Sequence, residues 1–308
     1  MNHKPYWLLP AAWLVALSLA GCATSIKTHD GVDRSSSLAV STEKQDEVTG
    51  LPTDSSQLLS RAEAAMTLGK NDEALFYFVK ALEANPNDIP ALLAVGTLHR
   101  GRGNLDLAEM AYRLALKRSA GNVDALEGLG LTLLQKNSHQ EAESLLKAAV
   151  RSDARRWQAH NGLGLIAIHA DQPVQAIGHY EEALKVQPRD SQLLTNLGFA
   201  KYQSHDWQGA LAAYDAAIQL DPTLESAWLN KGLLFAKQGR DREALESFRQ
   251  VMNEADAYND LGYIYMTRGD LDEAYALFDK AVKLSPTFHE KANENLQKLK
   301  AMNDAKRW

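Results

Sequence analysis

The chain is predicted to fold as an all-α solenoid of seven helix–turn–helix repeats followed by a C-terminal capping helix. Three observations lead there: an internal period of 34 residues, small residues at two fixed places in each period, and turn-forming residues within and between the repeats. On a 34-residue grid starting at Ser55, one small position falls at Ala62, Gly96, Gly130, Gly164, Gly198, Gly232 and Gly262. Twelve residues further on stand Ala74, Ala108, Ala142, Ala176, Ala210, Ala244 and Ala274.

Each recurring position has a physical reason. The Gly/Ala and Ala sites leave no bulk between two antiparallel helices, so the pair can approach closely. Four residues past each Ala comes Phe78, Tyr112, Leu146, Tyr180, Tyr214, Phe248 or Phe278, a large side chain that fills the space beside that pair. A later small residue, Ala81, Ala115, Ala149, Ala183, Ala217, Val251 or Ala281, lets the second helix pack on the next repeat. Pro86, Pro188, Pro222 and Pro286 end second helices, because proline cannot donate the next hydrogen bond. Pro173 instead opens a second helix, where its missing N–H does no harm.

Repeats begin at 55, 89, 123, 157, 191 and 225, and the next at 255, so the sixth has 30 residues. Its joint, "RQVMNEADAYND", requires the second helix to stop early, near Asn253, or to turn tightly, and a change of superhelical angle is expected there. A neutral deletion explains the shortening equally well. Beyond the array, Ala292, Leu296, Leu299 and Met302 recur at helical spacing among Lys and Glu, as a capping helix requires.

The N-terminus reads differently. Lys4 precedes an apolar run that ends in Leu19-Ala20-Gly21-Cys22, the layout of a secretory signal. The ending resembles the lipobox of bacterial lipoproteins. That resemblance implies cleavage before Cys22, acylation of its thiol, and, with Ala23 next, attachment to the outer membrane facing the periplasm. Cys22 is the only cysteine among the 308 residues, so no internal disulfide or multi-cysteine zinc site exists. Residues 23–54 are rich in Ser, Thr and Asp and are expected to form a disordered tether.

Composition narrows the remaining classes. A net charge of −6 with 23% charged residues supplies no basic stripe for nucleic acid. "GLGLIA" at 162–167 matches a dinucleotide pattern but follows no strand. His160, His169, His179 and His205 lie in different repeats, away from metal-ligand spacing, and are expected to be surface or groove residues. No nucleophile or acid–base constellation stands out. The expectation is a non-enzyme without cofactor or metal.

The array, with "LLTNLGFAKYQSHDWQGALAAYDAAIQLDP" and "AYNDLGYIYMTRGDLDEAYALFDKAVKLSP" as its clearest members, resembles the tetratricopeptide repeat. That family implies a right-handed superhelix whose first helices line a concave groove through repeat positions 2, 5, 6, 9, 12 and 13. In repeats four to seven these give Asn161, Asn196, Phe199, Tyr202, Asn230, Asn259 and Tyr263 as the candidate peptide site. An Asn amide both donates and accepts, which suits a peptide backbone, although Asn also tolerates ordinary helix surfaces. The first three repeats offer Leu59, Leu93, Arg100, Glu127 and Leu134 instead.

Lipobox, tether and array together resemble the lipoproteins of tight-adherence (Flp) pilus assembly, the TadD type, whose implied partner is a secretin or another pilus-assembly component. Two other resemblances remain open: the pilotins of type IV pilus systems, and adaptor lipoproteins that recruit peptidoglycan hydrolases or proteases.

Overall fold

A computed structural model describes residues 54–285 and 289–306. The signal sequence, Cys22, almost all of the tether and Pro286 lie outside the described residues. Within them are fifteen helices and no strand. The chain divides into two compact units, one through Gly162 and one from Leu163.

In the first unit, α1 (Ser55–Thr67) pairs with α2 (Asn71–Ala84), α3 (Ile89–Gly101) with α4 (Leu105–Arg118), and α5 (Val123–Gln135) with α6 (His139–Ser152). Helix α7 (Trp157–His169) carries the division between the units. The second unit continues with α8 (Pro173–Val186), α9 (Ser191–Gln203), α10 (Trp207–Leu220), α11 (Glu225–Lys237), α12 (Asp241–Phe248), α13 (Glu254–Arg268), α14 (Leu271–Leu284) and α15 (Glu290–Lys306). The first helices of repeats one to six begin on the grid read from the sequence, and α13 begins one residue ahead of it.

Short polar side chains start most of these first helices. Asp88, Asn122, Asp190 and Asn253 accept from the backbone N–H three residues on, at 2.8–2.9 Å. Each such cap is worth about 1 kcal/mol. The turn inside every repeat holds one residue at positive φ: Gly69, Gly103, Asn137, Asp171, His205, Gly239 and Gly269. Asn and Asp tolerate that conformation, whereas His205, at φ 64°, pays a steric cost of roughly 1 kcal/mol there.

The core follows the two small-residue series. Ala62, Ala74, Ala108, Ala142, Ala176, Ala210, Ala244 and Ala274 are fully buried. In repeats two to seven the large residue lies on the early glycine of the same repeat. A methyl on Gly164 would stand 2.5 Å from the Tyr180 ring, and one on Gly198 2.5 Å from Tyr214. Helix α15 closes the second unit: Leu299 is buried, and Leu296 and Met302 pack against Met266, Leu271, Ala274 and Phe278.

The sixth repeat departs from the expected boundary. Its second helix ends at Phe248, five residues before Asn253, and residues 249–252 form turns and a bend. The backbone N–H groups of Val251 and Met252 both reach the Phe248 carbonyl, at 3.0 Å. Val251 therefore lies past the helix end, and Asn253 caps the next helix.

Candidate peptide-binding face

In the second unit α9, α11 and α13 lie side by side, with α15 next to α13. Tight helix pairing through Gly198, Gly232 and Gly262 turns the opposite side of each first helix outward. On α9 that side carries an aromatic row. Phe199 and Tyr202 stack with ring centres 6.2 Å apart. Tyr202 meets the edge of Trp207 at 5.4 Å, and Trp207 meets His205 at 5.1 Å. Phe199, Tyr202 and Trp207 are all half-buried, so they keep an accessible ring surface. Burial pushes the Tyr202 hydroxyl above its usual range, which keeps it a neutral donor.

On α11 the side presents half-buried Asn230 and Leu233. Nearby Lys231 pairs with Asp215 at 2.7 Å and lies 5.4 Å above the Trp228 ring. On α13, Tyr263 is 40% exposed. Asp260 beside it is half-buried; burial is the largest influence on its carboxyl and raises it above the ordinary range. The Asn259 amide donates to it at 3.1 Å and Asp256 lies close by, while Lys291 and His289 act in the opposite direction to burial.

The predicted asparagine series is not uniform. Asn230 is half-buried on α11. Asn196 and Asn259 are buried, at 7% and 4% exposure. Asn196 accepts from Gln192 at 3.2 Å, and Asn259 accepts from Asn295 of α15 at 3.0 Å while donating to Asp260. A buried amide has to be satisfied inside the protein; Asn259 thereby ties α13 to α15, while the bond from Gln192 to Asn196 stays within α9. Asn161, on α7, is half-buried and belongs to the first unit.

In that unit, Glu127 is 7% exposed. It accepts from Ala159 N–H at 3.0 Å and from Arg156 at 3.2 Å. His160 is buried rather than on the surface, against expectation. Sequence reasoning passed over Trp207, which opens a second helix and so falls outside the first-helix positions. The aromatic in "SHDWQGA", directly after the turn, is the signal that marks it.

Paired antiparallel helices in tandem, with a sheltered glycine seam and one helix face turned outward, define an α-solenoid repeat protein. Tetratricopeptide-repeat models match residues 59–123, 93–154 and 127–193, then 227–261 and 255–288, and a model described as TPR repeat matches 200–239. The chain is a tetratricopeptide-repeat protein.

Solved structures share the fold. A tetratricopeptide repeat protein from Parabacteroides merdae is 17% identical, covering 80% of this chain and 98% of its own, with a TM-score of 0.56. PilW is 18% identical over 65% of this chain and 93% of its own, at 0.58. The pilF protein of Pseudomonas aeruginosa is 21% identical over 71% and 96%, at 0.55. At these identities the likeness is one of fold. No curated protein matches the chain.

Proposed function

We propose that this protein is a lipid-anchored scaffold that holds an extended segment of a protein partner on the outward side of α9, α11 and α13. The observation that carries this reading is the accessible row of Phe199, Tyr202 and Trp207 beside Asn230. Flat rings take up a partner's apolar side chains, and a half-buried amide pairs with its backbone. Such aromatic anchors commonly dominate binding energy at protein interfaces. The reading is one of binding rather than catalysis, with no metal or cofactor.

The lipobox ending in Cys22 supports attachment to the outer membrane, facing the periplasm. A multiply acylated cysteine holds firmly, since each buried CH₂ adds about 0.8 kcal/mol. The same plan favours a role in assembling a tight-adherence pilus or its secretin. Of the proteins that share the fold, PilW is described as a widely conserved type IV pilus biogenesis factor, which makes a pilus setting the natural comparison.

In-cell crosslinking of the full chain, followed by mass spectrometry of captured proteins, tests both levels. Recovery of a secretin or pilus component, lost in a Phe199→Ala/Asn230→Ala variant that keeps its helical circular dichroism, is the expected result. Recovery of wall hydrolases would keep the scaffold and remove the pilus role. Capture unchanged in the double variant would remove the binding face. Cys22→Ala is expected to shift the protein from the membrane fraction to the soluble periplasm; unchanged membrane association would overturn the anchor.

A further inference from the structure

The first unit carries an exposed feature that neither the repeat fold nor the proposed binding face uses. On the outer side of its second helices, Phe76 and Val79 of α2 are 44% and 40% exposed. Leu107, Met110 and Leu114 of α4 are 47%, 58% and 39% exposed. The repeat does not demand this. Where Phe76 and Met110 stand, later repeats place Ser144, Gly178, Ala212, Glu246 and Ala276. Large apolar groups gathered on one such surface mark an interaction site more often than chance exposure.

The charges on α4 indicate what covers it. Leu107, Met110 and Leu114 recur at helical spacing, so they form one stripe along the helix. Asp106 and Glu109 flank its N-terminal half, and Arg113 and Lys117 its C-terminal half. Glu109 and Arg113 are paired with each other at 2.8 Å, and Lys136 reaches Asp106 at 2.7 Å. Asp106 is nevertheless 90% exposed, and among the described residues Lys117 has no carboxylate partner. An anionic lipid surface would suit Arg113 and Lys117 but would be repelled by Asp106 and Glu109 in the same strip. Glu109 and Arg113 are also held by Lys136 at 2.6 Å and Glu141 at 2.9 Å, so the open charges are at the ends, the highly exposed Asp106 and Lys117. A helix with the reverse order suits both, and the same helix run antiparallel has that order.

We propose that α4 is a self-association surface, across which a second copy of this chain packs antiparallel, α4 on α4, with the two-fold axis beside Met110. The register is self-consistent. The midpoint of Leu107 and Leu114 and the midpoint of Asp106 and Lys117 fall within one residue of each other along the helix. A single axis between these midpoints brings Leu107 close to Leu114 of the second copy and Asp106 close to Lys117 of the second copy, within the reach of these side chains. This is the isologous contact that a two-fold dimer requires. The surface is separate from the α9, α11 and α13 face, so the two stand or fall independently.

Sedimentation velocity of the full chain, with Cys22→Ala to remove the native thiol, tests this over a range of concentrations. A monomer–dimer equilibrium is expected, weakened about tenfold or more by Met110→Glu, which places a charge at the centre of the contact. Asp106→Lys alone and Lys117→Asp alone each set like charges together and weaken the dimer. The two combined restore it, as only an antiparallel pairing of α4 with itself allows. Met110→Cys is expected to form a disulfide-linked dimer on mild oxidation. Circular dichroism confirms that each variant keeps its helices. A wild-type chain monomeric at every concentration would overturn the proposal, as would a charge swap that fails to restore association. So would a monomer that binds phosphatidylethanolamine–phosphatidylglycerol vesicles and loses that binding with Met110→Glu.

Discussion

The two compact units build the same repeat and solve the same junction differently. At the fifth position of the third repeat, the first unit places Glu127; at the fifth position of the seventh, the second unit places Asn259. Both are buried, and both fasten the helix two places on, α7 and α15. Glu127 does so with a carboxylate on the Ala159 N–H and the Arg156 guanidinium, Asn259 with an amide on Asn295. At these two junctions a buried hydrogen-bonding group does the fastening and its charge is free to differ, whereas Leu59, Leu93 and Leu229 fill the same position elsewhere. Outward positions are freer still: the first unit exposes aliphatic residues on α4, the second an aromatic row on α9. What varies least is the small-residue seam, glycine in six repeats and Ala62 in the first, and the first prediction lies there.

Gly198→Ala tests whether the seam or local helix preference governs stability. Alanine favours a helix interior by about 1 kcal/mol over glycine, yet its methyl would stand 2.5 Å from the buried Tyr214 ring. Overpacking of that kind costs roughly 1–3 kcal/mol and occasionally more, so a net loss is expected in urea unfolding. The first repeat supplies the control. Ala62 already occupies the seam there, fully buried, and Ala62→Gly is expected to destabilise by helix preference and lost methyl packing rather than by a clash. Equal and opposite changes at the two sites would show that helix preference alone sets the seam.

The junction comparison sharpens next. Glu127→Ala leaves Arg156 with one fewer anion and the Ala159 N–H without its acceptor, a loss of about 2–4 kcal/mol. Asn259→Ala removes the amide's bonds with Asn295 and the partly exposed Asp260 carboxyl and is expected to cost about 1–2 kcal/mol. Denaturant midpoints at constant slope measure both. The order should reverse only if Arg156 finds full compensation in Asp124 and Asp153, which already hold it at 2.6 and 3.2 Å.

These effects trace what the sequence could and could not reveal. The seam was legible because steric exclusion leaves a residue-by-residue mark: glycine or alanine recurs wherever a ring must fit. Helix starts were legible through the 34-residue period. The end of α12 was not, because a helix can terminate in successive turns without glycine or proline, as residues 249–252 do. The candidate face was only partly legible. Position on the repeat shows which way a side chain starts, not whether a neighbour covers it; Asn230 keeps its exposure, whereas Asn259 is taken up by α15, 36 residues away in sequence. His160 is likewise buried by packing that its own spacing does not announce.

The smallest predicted effect concerns Asp260, on the same α13 face as Tyr263. Its folded carboxyl titrates above the ordinary 3.8 because burial penalises the charged form, and neighbouring Asp256 adds to this. A carboxyl raised on folding binds its proton more tightly in the folded state than in the unfolded one. Its contribution is therefore most favourable below the unfolded value and is lost as pH rises through the folded value. Asp260→Asn removes the ionisation while keeping an acceptor for Asn259. The variant should match the wild type in acid and gain in thermal midpoint as pH climbs from 3.8 through the raised value, the gain then levelling off. A gain of the same size at every pH would assign it to altered packing on α13 rather than to the buried charge.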